Sequence, residues 1–296
     1  MDELIQGCMR LARFSEEETE RWLSSELDRG IRWFDHADIY GEGKCETLFG
    51  TALSKHPDWR KKMIIQSKCG IRTAPSTHYD SSKDYILKSA EGSIARLQCG
   101  YLDYFLIHRP DILTDPAEIA EALNQLRAEG KVLHFGVSNF TAGQMRRLQS
   151  RMKEKIEVNQ LQFSLAHTHL IDREFYANTG EKEILSSDGD LWDYCYENGV
   201  TIQCWSPFQY GCFEGTFLDS DRFPELNRKL AEIAGKYGCT KNAVAVAWIL
   251  ALPRKLQVVV GTTSPKRIGE IEKGREINLT REEWYALYES VGHTLP

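Results

Sequence analysis

Short apolar, β-rich runs recur along the chain at 4–9, 32–35, 63–67, 104–107, 132–137, 157–160, 201–204 and 256–260. Each is bounded by polar or turn-forming residues, so together they predict eight strands. Between them, 16–29, 83–97, 116–129, 141–151, 191–198 and 225–237 place their apolar residues on one face at helical spacing, and they predict amphipathic helices. Regular strand-then-helix alternation calls for parallel strands joined by right-handed crossovers. Eight such units close on themselves better than they extend an open sheet. The expected fold is therefore an α/β protein of the (β/α)8 TIM-barrel type, one domain over residues 1–296.

Two segments fall outside this repeat. The connection 206–224 after the seventh strand and the tail from Leu279 onward are expected to cover the barrel mouth, where loops on a rigid scaffold carry specificity. The former holds Phe208, Tyr210, Phe213, Phe217 and Phe223, which either line an apolar mouth or pack on one another. Residues 240–252 form an apolar helix pattern that stops at Pro253 and belongs to the core.

Composition narrows the function. At 296 residues the chain fits one barrel, and its net charge of -6, with no basic run, argues against a nucleic-acid backbone as partner. Eight cysteines stand without Cys-x-x-Cys pairs, so no metal site is expected. No apolar leader opens the chain, and the expected setting is the reducing cytoplasm with no membrane association.

Four polar residues then stand out at or just past apolar strand ends: Asp35, Tyr40, Lys68 and His108. In α/β barrels the catalytic groups project from those ends, so the four are expected to converge. A phenol is a poor acid at neutral pH, and an ammonium beside Tyr40 would lower its pKa; Lys68 is the candidate. Lys68 in turn needs a counter-charge, which Asp35 supplies from the neighbouring strand, making Asp35 a positioner rather than a base. His108 is placed to put an imidazole N–H on a substrate carbonyl. Such a set suits carbonyl reduction.

Taken singly, each of these residue types is usually structural or solvated, and it is their conjunction at successive strand ends that points to function. Asp38 competes with Asp35 and is expected to cap the following helix, while His36 competes with His108 but points to the opposite strand face. Lys68 also admits a Schiff-base role in an unrelated barrel lyase or isomerase, a reading that Asp35 weakens by keeping the amine charged.

The segments Gly30-x-x-x-Phe34-Asp35-x-Ala37-x-x-Tyr40-Gly41 and Leu102-Asp103-x-x-Leu106-Ile107-His108-x-Pro110 resemble the two signatures of the aldo-keto reductase family, and the resemblance runs over essentially the whole chain. Within that family, residues 35–40, 67–70, 108–111 and 134–140 look most like the bacterial YdhF-type oxidoreductases. The resemblance implies Tyr40 as general acid, Lys68 and Asp35 as its tuning pair and His108 as the carbonyl-orienting group. It implies a nicotinamide carboxamide held by Ser138, Asn139 and Gln160, with Trp205 stacked on the ring.

No Gly-x-Gly-x-x-Gly follows the first strand, so the pyrophosphate is expected near Ser206 and Phe208 and at the eighth strand's exit. There Gly261, Thr262, Ser264, Arg267 and Glu270 resemble the family's nucleotide clamp, with Arg267 and Lys266 as partners for the 2′-phosphate of NADP. Two positions depart from the pattern. Ile271 replaces an asparagine that contacts adenine in many members, and Gly261 stands where some carry a lysine, so one phosphate cation is missing and the preference for NADP over NAD falls mainly on Arg267. The short N-terminal hairpin common in the family is expected to be absent. The expected function is NADPH-dependent reduction of a small aldehyde or ketone. The alternative is a nucleotide-binding regulatory subunit, which needs a protein docking surface that the sequence does not identify.

Overall fold

The computed structural model describes residues 3–176 and 189–296. Its main strands are β1 (Leu4–Gly7), β2 (Trp33–Asp35), β3 (Ile64–Cys69), β4 (Leu102–Ile107), β5 (Val132–Ser138), β6 (Ile156–Gln162), β7 (Thr201–Trp205) and β8 (Leu256–Val260). They form one closed parallel barrel in the order β1-β8-β7-β6-β5-β4-β3-β2, the (β/α)8 arrangement expected from the alternation. A two-stranded antiparallel ribbon, Ile71–Arg72 with His78–Tyr79, rises from the end of β3.

The chain falls into two compact units, 2–160 with 261–265 and 161–260 with 266–296. In the first, β1 to β6 pair consecutively in parallel. The register sets Gly7 beside Asp35, Asp35 beside Gln66 and Ser138 beside Gln160. In the second, β7 and β8 pair in parallel, Ile202 beside Leu256.

The helices follow their local signals. Helix α1 (Glu16–Asp28) opens on a capping box, Ser15 accepting from the Glu18 amide while Glu18 reaches back to the Ser15 amide, and it buries Trp22, Leu23 and Leu27. Between 44 and 55 lies a helix absent from the amphipathic patterns above: α2 (Lys44–Lys55) buries Cys45, Glu46, Leu48, Phe49, Ala52 and Leu53. It packs against α3 (Lys83–Leu97), and Gly50 permits the approach, since a Cβ there would collide with the backbone at Arg96 and Leu97. Helix α4 (Pro116–Ala128) starts on an Asp115 cap with proline in its first turn, and α5 (Ala142–Gln149) starts on a second capping box at Thr141.

The second unit contains α6 (Leu191–Glu197), α7 (Pro224–Tyr237), α8 (Lys241–Leu250), α9 (Pro265–Glu272) and α10 (Arg281–Glu289). Helix α8 is buried nearly all round, as its apolar pattern predicted. The loop aromatics mostly satisfy one another or the core: Tyr210 and Phe223 pack at 5.2 Å and Phe217 is fully buried, whereas Phe213 is exposed. Among the described residues no helix is long and apolar enough to cross a membrane.

Candidate active site

The site begins with the pleat. Gln66 and Lys68 are two residues apart on β3 and therefore point to the same face, and the register places Gln66 beside Asp35 at the end of β2. Lys68 Nζ donates to Asp35 Oδ1 at 2.6 Å, to Asp35 Oδ2 at 2.7 Å and to the His36 carbonyl at 2.8 Å. Both charges are almost fully buried. Two further donors complete the Asp35 carboxylate: Gln66 Nε2 at 2.6 Å and Gln160 Nε2 at 3.1 Å, both to Oδ1. A buried ion pair is tolerable when additional hydrogen bonds satisfy the remaining lone pairs, as here. With its three N–H groups occupied, Lys68 has no free lone pair to act as a Schiff-base nucleophile.

Tyr40 lies five residues past the end of β2 and opens a turn in which Gly41, Glu42 and Gly43 all have positive φ (57°, 55° and 86°). This run bends the chain sharply back, and a Cβ on Gly41 would press into that of Ala12. Lys68 Nζ lies 5.2 Å from the centre of the Tyr40 ring. His108, just past β4, is tied by its backbone amide to the Cys69 carbonyl at 2.7 Å and sets its ring edge-on to Tyr40 at 6.1 Å between centres. Asp35, Tyr40, Lys68 and His108 thus come together within the first unit.

The electrostatics correct one expectation. Burial, reinforced by the Asp35 carboxylate, pushes the Tyr40 phenol well above its ordinary value rather than below it. Lys68 does not depress the phenol in the resting site because its charge is largely neutralised by Asp35, and burial itself pulls the Lys68 ammonium down against that pairing. Burial, then the charges of Lys68 and Arg109, hold the His108 imidazole well below its usual range, so it is neutral. Its Nδ1 is buried without a hydrogen-bond partner.

The two rivals behave differently from the four. His36 is fully buried edge-on to Phe49 on α2, at 4.6 Å, with both ring nitrogens unpaired and its pKa lowered to about 3 by burial and by Lys68. Asp38 does not cap α2, whose cap position is Gly43; it accepts instead from Tyr85 at 2.9 Å and Ser89 at 2.7 Å on α3. Cys69, at the end of β3, is buried with its thiol pushed up and is not poised to react.

Of the expected cofactor residues, Ser138, Asn139 and Gln160 adjoin the four. Ser138 Oγ donates to the Gln160 carbonyl at 2.8 Å and accepts from Asn139 Nδ2 at 2.9 Å; the Asn139 amide also reaches the His108 carbonyl at 3.4 Å. Asn139 adopts φ 60°, which turns the chain out of β5. The amide of Gln160 faces Asp35, so it acts on the buried pair as well as lining the site.

Gly261, Thr262 and Ser264 form the half-buried loop after β8, with the Ser264 amide on Thr262 Oγ1 at 3.2 Å. In the second unit, Trp205 ends β7 half-buried, Ser206 turns the chain at φ 51°, and the Phe208 carbonyl accepts from Phe217 at 3.1 Å. On α9, Arg267 is exposed, Glu270 half-buried and Ile271 buried as a core residue.

Three contributors escaped the sequence reading. Gln66 carried a signal, being polar within an apolar run and two residues from Lys68. The His36 carbonyl and Arg10, which donates to the Gly261 carbonyl, carried none, because each acts on a partner 32 or 251 positions away.

The aldo/keto reductase family model matches residues 3–291, almost the whole chain. The chain belongs to this family. Oxidoreductase YdhF of Escherichia coli strain K12 is 34% identical over 99% of the chain and 94% of its own length. A 6-dehydroglucose reductase of Agrobacterium fabrum is 34% identical over 88% of the chain and 84% of its own length. The crystal structure of the thermostable aldo-keto reductase Tm1743 superposes with a TM-score of 0.78 at 24% identity, covering 98% of this chain and 95% of that one, a likeness of fold. As an aldo-keto reductase the chain is an oxidoreductase that works with a nicotinamide cofactor.

Proposed function

We propose that this aldo-keto reductase uses NADPH to reduce a small aldehyde or ketone to its alcohol, with Tyr40 as proton donor. One observation carries the assignment: a buried, fully hydrogen-bonded Lys68–Asp35 pair lies against the Tyr40 ring, with the neutral His108 edge-on to the same phenol. The cofactor, when bound, supplies hydride to the carbonyl carbon. The protein supplies the rest.

A phenol held above its ordinary pKa keeps its proton at neutral pH, so the acid is loaded before substrate arrives. As the carbonyl oxygen gains charge, Tyr40 gives up that proton, with the Lys68 ammonium held 5.2 Å from the centre of its ring. Asp35 holds Lys68 in place, and Gln66 and Gln160 hold Asp35. The neutral His108 donates a ring N–H to the carbonyl oxygen without offering a competing acidic proton. By the family resemblance, the carboxamide falls to Ser138, Asn139 and Gln160, the nicotinamide ring to Trp205, and the nucleotide to Ser206, Phe208, Gly261, Thr262, Ser264, Arg267 and Glu270. NADPH is favoured over NADH by Arg267, exposed on α9 with no partner among the described residues.

Tyr40→Phe removes the proton and leaves the ring. It is expected to lower carbonyl-dependent NADPH oxidation by roughly 10²- to 10⁴-fold while NADPH still quenches tryptophan fluorescence. A variant that turns over near the wild-type rate would refute the assignment.

A further inference from the structure

We propose that Arg10 is a phosphate-binding residue of the dinucleotide site, its guanidinium supplying from the exit of β1 the cation that position 261 lacks. The inference rests on the nicotinamide-dinucleotide reading above. Arg10 Nη1 donates to the Gly261 carbonyl, and a Cβ built on Gly261 would lie 2.5 Å from that nitrogen. The guanidinium therefore stands where a side chain at 261 would begin, and a lysine at 261 and Arg10 in this pose exclude each other. The glycine is what admits the arginine.

The placement is anchored rather than incidental. Gln6 Nε2 on β1 donates to the Thr262 carbonyl at 3.0 Å, so the β1 exit is tied to the 261–264 loop at two successive carbonyls. Loops after the last two strands of such barrels are their usual phosphate sites. Arg10 is half-buried, and among the described residues its side chain makes one hydrogen bond, to the Gly261 carbonyl, and has no carboxylate partner. A guanidinium carries five N–H donors in a planar fork. One is spent on a carbonyl that fixes the group, and the others are free to bind phosphate oxygens in pairs. A half-buried arginine that is positioned but not neutralised is suited to an anion.

The test titrates purified wild-type protein, Arg10→Ala and the double variant Arg10→Ala with Gly261→Lys with NADPH and NADH, following tryptophan fluorescence at fixed ionic strength. Arg10→Ala is expected to weaken NADPH by about 10- to 100-fold, and the lysine of the double variant, relieved of the clash, is expected to recover part of that loss. Weakening of NADPH alone assigns Arg10 to the 2′-phosphate; equal weakening of NADPH and NADH assigns it to the pyrophosphate. Should Arg10→Ala bind both dinucleotides as the wild type does, the proposal is overturned. Wild-type protein that binds neither overturns the reductase reading itself. Arg10→Gln, which keeps a donor to the Gly261 carbonyl, replaces the alanine variant if the latter does not fold.

Discussion

Lys68 shows what one residue's surroundings contribute. Alone it is a lysine near a strand end; with both oxygens of Asp35, the His36 carbonyl and the Tyr40 ring around it, it is a fixed charge whose remaining influence falls on the phenol. The four residues were legible because each is a polar residue at or just past the end of an apolar run. The direction of the Tyr40 shift was not, because it depends on how much water the fold removes and how completely Asp35 neutralises Lys68. That direction makes a prediction. With the phenol raised and the imidazole depressed, neither group changes charge near neutrality. The kcat/KM for reduction should therefore stay flat from about pH 6 to pH 8, across the range where an ordinary histidine titrates. A profile falling with an apparent pKa near 6.5 would show that His108 titrates normally and is solvated.

At the scale of elements, the site depends on how α2 and α3 back the strands. Glu46 on α2 is buried, accepts from Ser67 on β3 at 2.6 Å and from Arg96 on α3 at 2.8 Å, and so pins both helices behind the strand that carries Lys68. Gly50, one turn along, lets the helices close over that bond. Helix α2 was missed as an amphipathic pattern because its buried face includes Glu46 and glycine, residues that read as polar or as breakers until a partner is known. Glu46→Ala removes the carboxylate, which takes from Ser67 its acceptor and leaves the part-exposed Arg96 bonded to Ser93 alone. It should cost about 1–3 kcal/mol of folding free energy, measured as a lower denaturant midpoint with an unchanged slope. An unaltered midpoint would show that the two helices are held by apolar packing alone.

For the molecule as a whole, His36 sets a sensitivity to acid. Its ring is sealed against Phe49 with no hydrogen-bond partner, and its folded-state pKa lies at about 3 against an ordinary 6.5. The unfolded chain therefore takes up a proton at His36 below about pH 6.5 that the folded protein refuses until near pH 3. Stability from this group is complete above that window and is lost as pH falls through it, by at most about 1.4 kcal/mol per pH unit. His36→Leu should flatten the decline of unfolding free energy between about pH 6 and pH 4. If the variant and the wild type decline in parallel, His36 is not the group that titrates. What the sequence by itself determined is the barrel, through strand and helix periods that need no partner to be read, and the four-residue set, through polar breaks at strand ends. Only the tertiary structure decided which side chains share a charge: Gln66 and Gln160 on Asp35, Arg10 on Gly261, the neutrality of His108. Those depend on distances between residues up to 251 positions apart and on the exclusion of water, and neither is a local property of the chain.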